Sequence, residues 1–582
     1  MPTNVLIVGA GPTGLALALL LLRSGLSVRI IEKQLQFHPG ERGAGIQPRT
    51  LELYKFLGLL PDIIERSATS PRNLKYYTAP DNGKPPRLAP MVQLMDDTPD
   101  RPMVSTFMIS HLIMPLVFYD SNFQMNARML GQNRHEKVLR EHILAYHGVH
   151  VEFGTELRSF EQTSDHVLAR VVKTVDSKAV EENVTVNWLV GADGARSVVR
   201  KQLGLSFLGE SPEMEVVTGD IHVLGDSIKQ EHPDGWTVWA QSDNVIVALL
   251  RPCLVRGKNL FQFLIRGGNE KLDMVKISSS REEMVKAFHH LTGRRDIEFG
   301  ELVWIGLWRP NIRMVNRFGK GRVFVAGDAA HIHSPTGGQG MNSGVQDCFN
   351  LAWKLALVQK GLAPQSLLDS YSNERTPVIA SMLNKTTELF KKEFVAKVGQ
   401  RQDIFRGYEL RQLGVNYRGT HIIFDEKYTD NKEIVDSYRS GDDGTIRAGD
   451  RAPDAPSLSL LGASKTIKTM SFFDIFKTTQ HTVLIFPGSA GHDFVTGVLN
   501  TLREYNSDIL KSIVVLPRAS DSISSSALAD MTLVDTEGYA YLIYAITDDT
   551  PTVFIVRPDG YIGALITSGE SGVRSYFSSI FV

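Results

Sequence analysis

The sequence predicts an α/β fold: one sheet domain assembled from three distant stretches, a sheet-rich insertion, and a further α/β module at the C-terminus. Three observations predict it. Short aliphatic strands run into glycine-rich turns, two of them opening long helices, around residues 5–24, 186–197 and 323–358. Between them, roughly over 70–128 and 205–310, strand-like runs alternate with Pro and Gly turns. Beyond a polar, glycine-rich passage over Asp425–Asp450, strand patterns resume.

The elements follow in order. Val5–Val8 is a buried strand, Pro12–Ser24 a helix closed by Gly25, and Val28–Ile31 a second strand ending in Glu32. The apolar run Leu15–Leu22 is too short for a bilayer, which takes about 20 residues. Met1–Asn4 carries no charge to start a signal peptide, so no leader or anchor is expected and the chain suits the cytoplasm. His135–Tyr146 has helical spacing and stops at Gly148; Val186–Val190 reads as a strand before Gly191 and Val323–Ala326 as another before Gly327. Met341–Val358 reads as a long helix. In the tail, Thr482–Phe486, Ile513–Leu516 and Thr552–Val556 read as strands, Ser440–Gly444 as linker and Ser520–Ser526 as a surface loop.

Composition narrows the function. The 582 residues leave room for two to four domains, at roughly 100–200 residues each. Lys and Arg total 63 against 64 Asp and Glu, a net charge of −1. Nucleic acid and anionic membranes both demand a cationic surplus, so neither is expected as a partner. Two cysteines, Cys253 and Cys348, exclude a disulfide framework and a thiolate metal cluster. Cys348 shares helical spacing with Val345, Leu351 and Leu355, which marks core packing.

Three motifs carry chemistry. Gly9-Ala-Gly-Pro-Thr-Gly14 follows a strand and opens a helix. Its glycines (Gly9, Gly11, Gly14) allow a tight turn and close approach to a pyrophosphate, and the helix start at Pro12 and Thr13 offers unpaired N–H groups. Glu32, beside Lys33, stands 18 residues past Gly14, placed to accept from a ribose. Gly191-Ala-Asp-Gly-Ala-Arg-Ser197 follows another strand; Asp193 there suits a sugar, a neighbouring loop or simply a turn, and Arg196 suits a phosphate. The longest motif, Gly327-Asp-Ala-Ala-His-Ile-His-Ser-Pro-Thr-Gly-Gly-Gln-Gly-Met-Asn342, runs straight into a helix. Asp328 can accept from polyol hydroxyls, and the Gly337–Asn342 loop turns N–H groups and a helix dipole toward whatever sits before it, as a reduced isoalloxazine would require. His331 and His333 lack a third ligand, and no metal is expected.

These motifs, in this order, resemble the group A flavoprotein monooxygenases of the para-hydroxybenzoate hydroxylase and phenol hydroxylase type. The resemblance covers roughly residues 4–60, 127–210 and 309–380, and includes Arg42-Gly-Ala-Gly-Ile-Gln47, Arg49-Thr-Leu-Glu52 and Gln132. It implies one extended FAD in a Rossmann-like domain: Gly9, Gly11 and Gly14 on the pyrophosphate and Glu32 on the adenosine ribose. It further implies Arg42, Gln47 and Gln132 near the ribityl chain and rings, Arg128 among the cofactor contacts, and Asp328 on the ribityl. Pro335, Gly337, Gly338, Gly340, Met341 and Asn342 would lie against the ring, and Asp193 in a segment tied to FAD and the nicotinamide cofactor.

NADPH or NADH would be the cosubstrate and O2 the oxidant. The implied activity is hydroxylation of an electron-rich phenolic or polyketide-like aromatic through a flavin C4a-hydroperoxide. Epoxidation, Baeyer–Villiger insertion and a non-catalytic flavin-binding role are the alternatives. The resulting domain plan is FAD binding over 1–70, 127–204 and 309–380, substrate binding over 71–126 and 205–308, a helical segment and linker over 381–446, and a thioredoxin-like domain over 447–582. Ala448-Gly-Asp-Arg-Ala-Pro-Asp454 and Val556-Arg-Pro-Asp-Gly-Tyr561 carry that last resemblance. The tail contains no cysteine, so dithiol exchange is excluded and packing or homodimerisation is its expected role. Phenol hydroxylases place an acid three residues before the residue matched by Gln47; here that position is Ala44, and their way of handling a phenol does not carry over. Tyr76, Tyr77, Tyr119, His222, Trp236, Trp239, Arg251 and Arg266 populate the expected substrate domain. His289 and His290 are expected one packed, one solvated.

Overall fold

A computed structural model of the chain describes residues 3–69, 73–78, 87–88, 92–93, 127–175, 178–225, 228, 235–241, 245–268, 270–334, 336–390, 408–428, 436–438, 445–461, 469–488, 491–518, 528–547 and 549–582. Pro335, Tyr119, Asp442, Asp443 and the segments Ser440–Gly444 and Ser520–Ser526 lie outside the described residues.

Val5–Val8, all four residues buried, pairs in parallel with Val28–Glu32 on one side and Trp188–Gly191 on the other. Around that centre a six-stranded sheet runs Gly319–Lys320, Val323–Val325, Trp188–Gly191, Val5–Val8, Val28–Glu32, Val151–Phe153. Parallel strands must be covered on both faces, which explains why these runs are aliphatic rather than alternating. The helix Pro12–Arg23 packs against the helices Gln132–His147 and Gly340–Gln359, and Gly148 closes Gln132–His147 in a left-handed conformation.

Val186 does not belong to this sheet. It ends the antiparallel strand Lys178–Val186, the chain turns at Asn187, and the buried strand starts at Trp188. The expected single run from Val186 spans two elements, because aliphatic residues continue across the corner.

The inserted sheet orders Glu298–Trp308, Val216–Leu224, Leu260–Ile265, Ile246–Pro252, Trp236–Ala240, Asn73–Thr78 and Arg87–Leu88, with Val92–Gln93 also on Asn73–Thr78. Its covered face, carrying Trp239, Phe263 and Ile265, packs on the helix Arg281–Thr292 through Met284, Phe288 and Leu291. Near the expected boundary at 205 a separate small sheet forms. Phe207–Glu210 pairs with Ile312–Val315, which in turn pairs with His331–Ile332.

The C-terminal sheet orders Phe424–Asp425, Ile562–Ile566, Thr552–Val556, His481–Phe486, Leu510–Pro517, Met531–Asp535 and Leu458–Leu460. Its edge strand comes from the passage read as linker, and there Tyr438, Ile446 and Ala448 are buried. Polar composition misled at this point, since the burial falls on a few apolar side chains between solvated ones. One apolar cluster runs from Val5 and Leu6 through Phe56 to Phe473, Phe554 and Tyr561, so this sheet shares its core with the first.

Candidate functional site

Strand ends and helix starts bring the three motifs to one place. In the first motif, Gly9 has φ +104 and a Cβ there would stand 2.3 Å from Ala192 O, in the second motif. A Cβ on Gly14 would stand 2.0 Å from Gly9 O. In the third motif, a Cβ on Gly327 (φ +59) would lie 2.5 Å from Thr13 Oγ1, as would one on Gly344. The loops therefore interlock through missing side chains. Gly11 differs, having nothing within 4 Å of its Cβ position. Two glycines close the turn on the protein, and one leaves its backbone open to a ligand.

Glu32 Oε2 accepts from Ala10 N at 3.1 Å and Oε1 from Gln34 N at 3.0 Å, which holds the carboxylate at the mouth of the first turn with exposed Lys33 beside it. Asp193 Oδ2 accepts from Val198 N at 2.7 Å and so supports the start of the helix Val198–Gln202 beside its N-cap Ser197. Arg196 is exposed. Asp328 is itself open to solvent, yet protein closes around it densely enough for burial to raise its carboxyl pKa, against the opposing charges of His331 and Arg42. Arg42 is exposed.

Opposite the first turn, the strand Gly45–Ile46 is tied to the third motif. Asn342 Oδ1 accepts from Gln47 N at 2.8 Å, and its Nδ2 donates to Gly45 O at 2.9 Å and Gly338 O at 2.7 Å. Gln47 Nε2 donates to Gly337 O at 2.9 Å. Gly337 (φ +81) and Gly338 (φ +61) are both left-handed, and Gly338 is exposed. Gly340 lacks a side chain for a simpler reason, since a Cβ would meet His333 Nε2 at 2.6 Å. Met341 Sδ lies 3.2 Å from His135 Nδ1. Burial and neighbouring His331 hold His333 down to about 4.

Two expected contacts point elsewhere. Arg128 donates to Ser67 Oγ, Ser67 O and Ile64 O, so its guanidinium buttresses the strand Arg128–Met129 against the preceding helix. Gln132 is the first residue of its helix; Nε2 donates to Glu136 Oε1, while its backbone N donates to Gly43 O.

Several residues at the site were not singled out from the sequence. Glu41, 1% exposed, joins three elements: Oε1 pairs with Arg134 at 2.5 Å, Oε2 with Arg251 at 3.5 Å, and its N donates to Asp220 Oδ2 at 2.6 Å. Gln262 Nε2 donates to Arg42 O at 3.2 Å. Asp220, Gln262, Arg251 and Trp236 form one row across the inserted sheet with Trp304. That row lies on the face opposite Phe263 and Trp239, and half-buried Thr218, Leu249 and Leu264 continue the same face. The available signal was an acid inside a largely apolar strand, Val216–Leu224, which also carries Thr218 and His222. Beneath the third motif, Asp347 Oδ2 accepts from Gly327 N and His331 Nε2, and Oδ1 from Arg375 Nε, all fully buried. Trp239 stacks with Tyr77 in the covered core, so neither faces the cleft. His289 is half-buried on Ile297 O, and His290 is exposed beside Glu270.

An open backbone at Gly11, a solvent-open Asp328 just past a strand end and an exposed, left-handed Gly338 fit an extended dinucleotide carrying a flavin. The FAD-binding-domain family matches residues 2–386. The chain belongs to the FAD-dependent aromatic hydroxylases. A flavin-dependent monooxygenase from Mycobacteroides abscessus is 32% identical over 578 residues, covering 99% of this chain and 100% of the relative. Pentachlorophenol 4-monooxygenase from Sphingobium chlorophenolicum is 29% identical over 566 residues, covering 96% and 93%. The solved structure of aklavinone-11 hydroxylase with FAD and aklavinone superposes with a TM-score of 0.73 at 24% identity, covering 99% of each chain. This enzyme is an FAD-dependent monooxygenase. Among its described residues no helix is long and apolar enough to cross a membrane.

Proposed function

We propose that the enzyme hydroxylates an electron-rich phenolic or polyketide-like aromatic, with NADPH or NADH as reductant and O2 as the oxygen source. One observation carries the reading: the glycine-rich turns of all three motifs interlock, and the Glu41–Arg42 segment is bonded to Asp220 and Gln262 on the half-open face of the inserted sheet. Pentachlorophenol and aklavinone, named for two relatives, support the substrate class.

In this reading the Gly11 backbone and the helix start at Pro12 and Thr13 receive the pyrophosphate, and Gly9 and Gly14 keep the turn closed. Glu32, with Lys33 beside it, receives the adenosine ribose, and Asp328 the ribityl hydroxyls. Arg42 and the Gln47–Gly337–Asn342 assembly border the ring, with Pro335, Gly340 and Met341 on the same loop. Asp193 acts through the helix start that it supports. Arg128 and Gln132 take supporting parts behind Gly43–Ile46.

The bound flavin supplies electron transfer and oxygen activation. The chain supplies N–H donors and the dipole of the helix Gly340–Gln359 where negative charge develops on the ring. Leu249 and Leu264 offer an apolar wall that keeps water from the reacting centre, with the Thr218 hydroxyl turned to Phe263 O. Arg251 and Gln262 sit at the polar end of that face, where a substrate oxygen can be oriented.

The domain plan follows, with the insertion starting at Val216 and the C-terminal sheet read as thioredoxin-like. That sheet has no cysteine, and its continuous core with the first domain supports a packing role.

Asp328→Ala should purify with little or no FAD, read from absorbance near the flavin maxima. The wild type should oxidise NADPH faster with a subset of phenolic ligands and give a product heavier by one oxygen atom. Full FAD occupancy in the variant would refute the site; NADPH oxidation indifferent to every aromatic tried would refute the substrate class.

A further inference from the structure

Gln339, fully buried between the left-handed glycines and the helix Gly340–Gln359, has both ends of its amide held. Nε2 donates to Gly337 O and to Leu410 O, each at 2.9 Å, and Oε1 accepts from the hydroxyl of Tyr438. Leu410 and Tyr438 come from the passage between the two sheet domains. Around them the same passage makes three further bonds to this region. Gln412 Nε2 donates to Ser343 Oγ at 3.2 Å, Gln346 Nε2 donates to Gln412 Oε1 at 2.8 Å, and Arg375 Nη1 donates to Tyr417 OH at 3.1 Å. Gln412 holds a left-handed backbone (φ +63), a conformation unfavourable for a non-glycine residue that persists only where its surroundings impose it.

The consequence for the cleft is geometric. Gly337 O accepts two amide donors from the protein side, Gln339 Nε2 and Gln47 Nε2. In a planar trans peptide the C=O and the following N–H point in opposite directions. Holding Gly337 O inward therefore turns Gly338 N–H outward, on the exposed side of the loop. Two consecutive left-handed glycines have no side-chain packing of their own to fix that orientation.

We propose that Tyr438 and Leu410, acting through Gln339, are positioning residues that lock the Gly337–Gly338 peptide with its N–H toward the flavin, so that the passage after residue 408 is a working part of the cofactor site. This rests on the reading that FAD occupies the cleft. Tyr438→Phe removes one hydroxyl from a buried site and leaves Gln339 Oε1 unpaired. A hydrogen bond of this kind contributes about 1 kcal/mol, or roughly a five- to tenfold change in an equilibrium.

The test compares Tyr438→Phe with Tyr544→Phe, which removes a similarly buried hydroxyl bonded to Pro453 O in the C-terminal sheet. Two readouts are taken: the FAD dissociation constant of deflavinated protein, and amide hydrogen exchange over Gly337–Ser343 with no flavin present. Tyr438→Phe should weaken FAD binding about five- to tenfold and speed exchange across the loop, while Tyr544→Phe leaves both as in the wild type. Unchanged exchange and affinity in Tyr438→Phe would overturn the proposal, as would equal effects from both variants, which would mark a general loss of stability. If wild-type protein itself takes up no FAD, the occupancy reading fails, and the exchange measurement still decides whether the lock exists.

Discussion

Gly11→Ala and Gly14→Ala separate two demands that one short motif combines. Gly11 has φ −72 and open space around its Cβ position, so alanine fits the free protein without strain. Gly14 has Gly9 O 2.0 Å from its Cβ position, and that atom belongs to backbone that cannot step aside. Gly14→Ala should lose about 1–3 kcal/mol or more of stability from overpacking alone. Gly11→Ala should unfold at the wild-type temperature and still bind FAD at least about tenfold more weakly, because its methyl enters the space a pyrophosphate needs. Thermal denaturation and FAD titration of both variants check the pair, and a wild-type FAD affinity in Gly11→Ala would move the pyrophosphate elsewhere. Sequence spacing marks all three glycines alike; only the packing tells which of them faces a ligand. The places of Glu32, Asp328 and Asn342 in the fold were legible because each acid or amide ends a strand or opens a helix. Glu41 and Tyr438 were not, since their partners lie on elements far away in sequence.

Strand His481–Phe486 carries a histidine at its start that has no polar purpose. The His481 ring stands among Trp353, Tyr576, Phe577 and Phe581, at 5.3, 6.3, 6.0 and 5.6 Å between centroids, and burial with the Arg557 charge beside it lowers its pKa to about 3. The folded strand therefore holds the neutral ring, while the unfolded chain takes up a proton near 6.5. Its contribution is complete above pH 6.5 and is lost as pH falls from there toward 3, because the unfolded state binds the proton first. His481→Phe should flatten this acid limb by up to about 4 kcal/mol while leaving stability near pH 8 little changed. Urea unfolding between pH 4 and 8 reads it, and an unaltered pH slope in the variant would show that His481 titrates normally. Elements of this kind were the most legible part of the chain: His481–Phe486, Thr552–Val556 and Gly340–Gln359 fall within a residue or two of the runs expected. The corner at Asn187 and the edge strand Phe424–Asp425 were hidden, one by aliphatic residues on both sides and the other by polar neighbours.

Across the whole molecule, charges buried between the first and last sheets decide whether the chain behaves as one body or two. Arg557, fully buried, bridges Glu374 on the helix Asp369–Phe390 to Asp559 in its own turn, and Lys354 pairs with the same Glu374 at 2.6 Å. Nearby, Arg49 donates to Asp559 O and Gly560 O, and Glu52 pairs with Arg451. Phe56 meets Phe473 edge-on at 5.1 Å in the same interface. Arg49 follows Gln47 by two residues, and Arg375, next to Glu374, holds Asp347 under the third motif. The interface therefore reaches both sides of the cofactor cleft within a few residues. Removing one partner of a buried ion pair costs about 3–5 kcal/mol, since the charge left behind has lost its water as well as its mate. Arg557→Met should thus lower the thermal midpoint of the entire protein, and calorimetry should show one transition in both wild type and variant, because both apolar clusters of the C-terminal sheet include residues of the first domain, Phe56 in one and Trp353 and Leu357 in the other. Two well-separated transitions in the wild type, with only the second shifted in the variant, would make the C-terminal sheet an independent passenger and would leave Arg557 with no bearing on the flavin site.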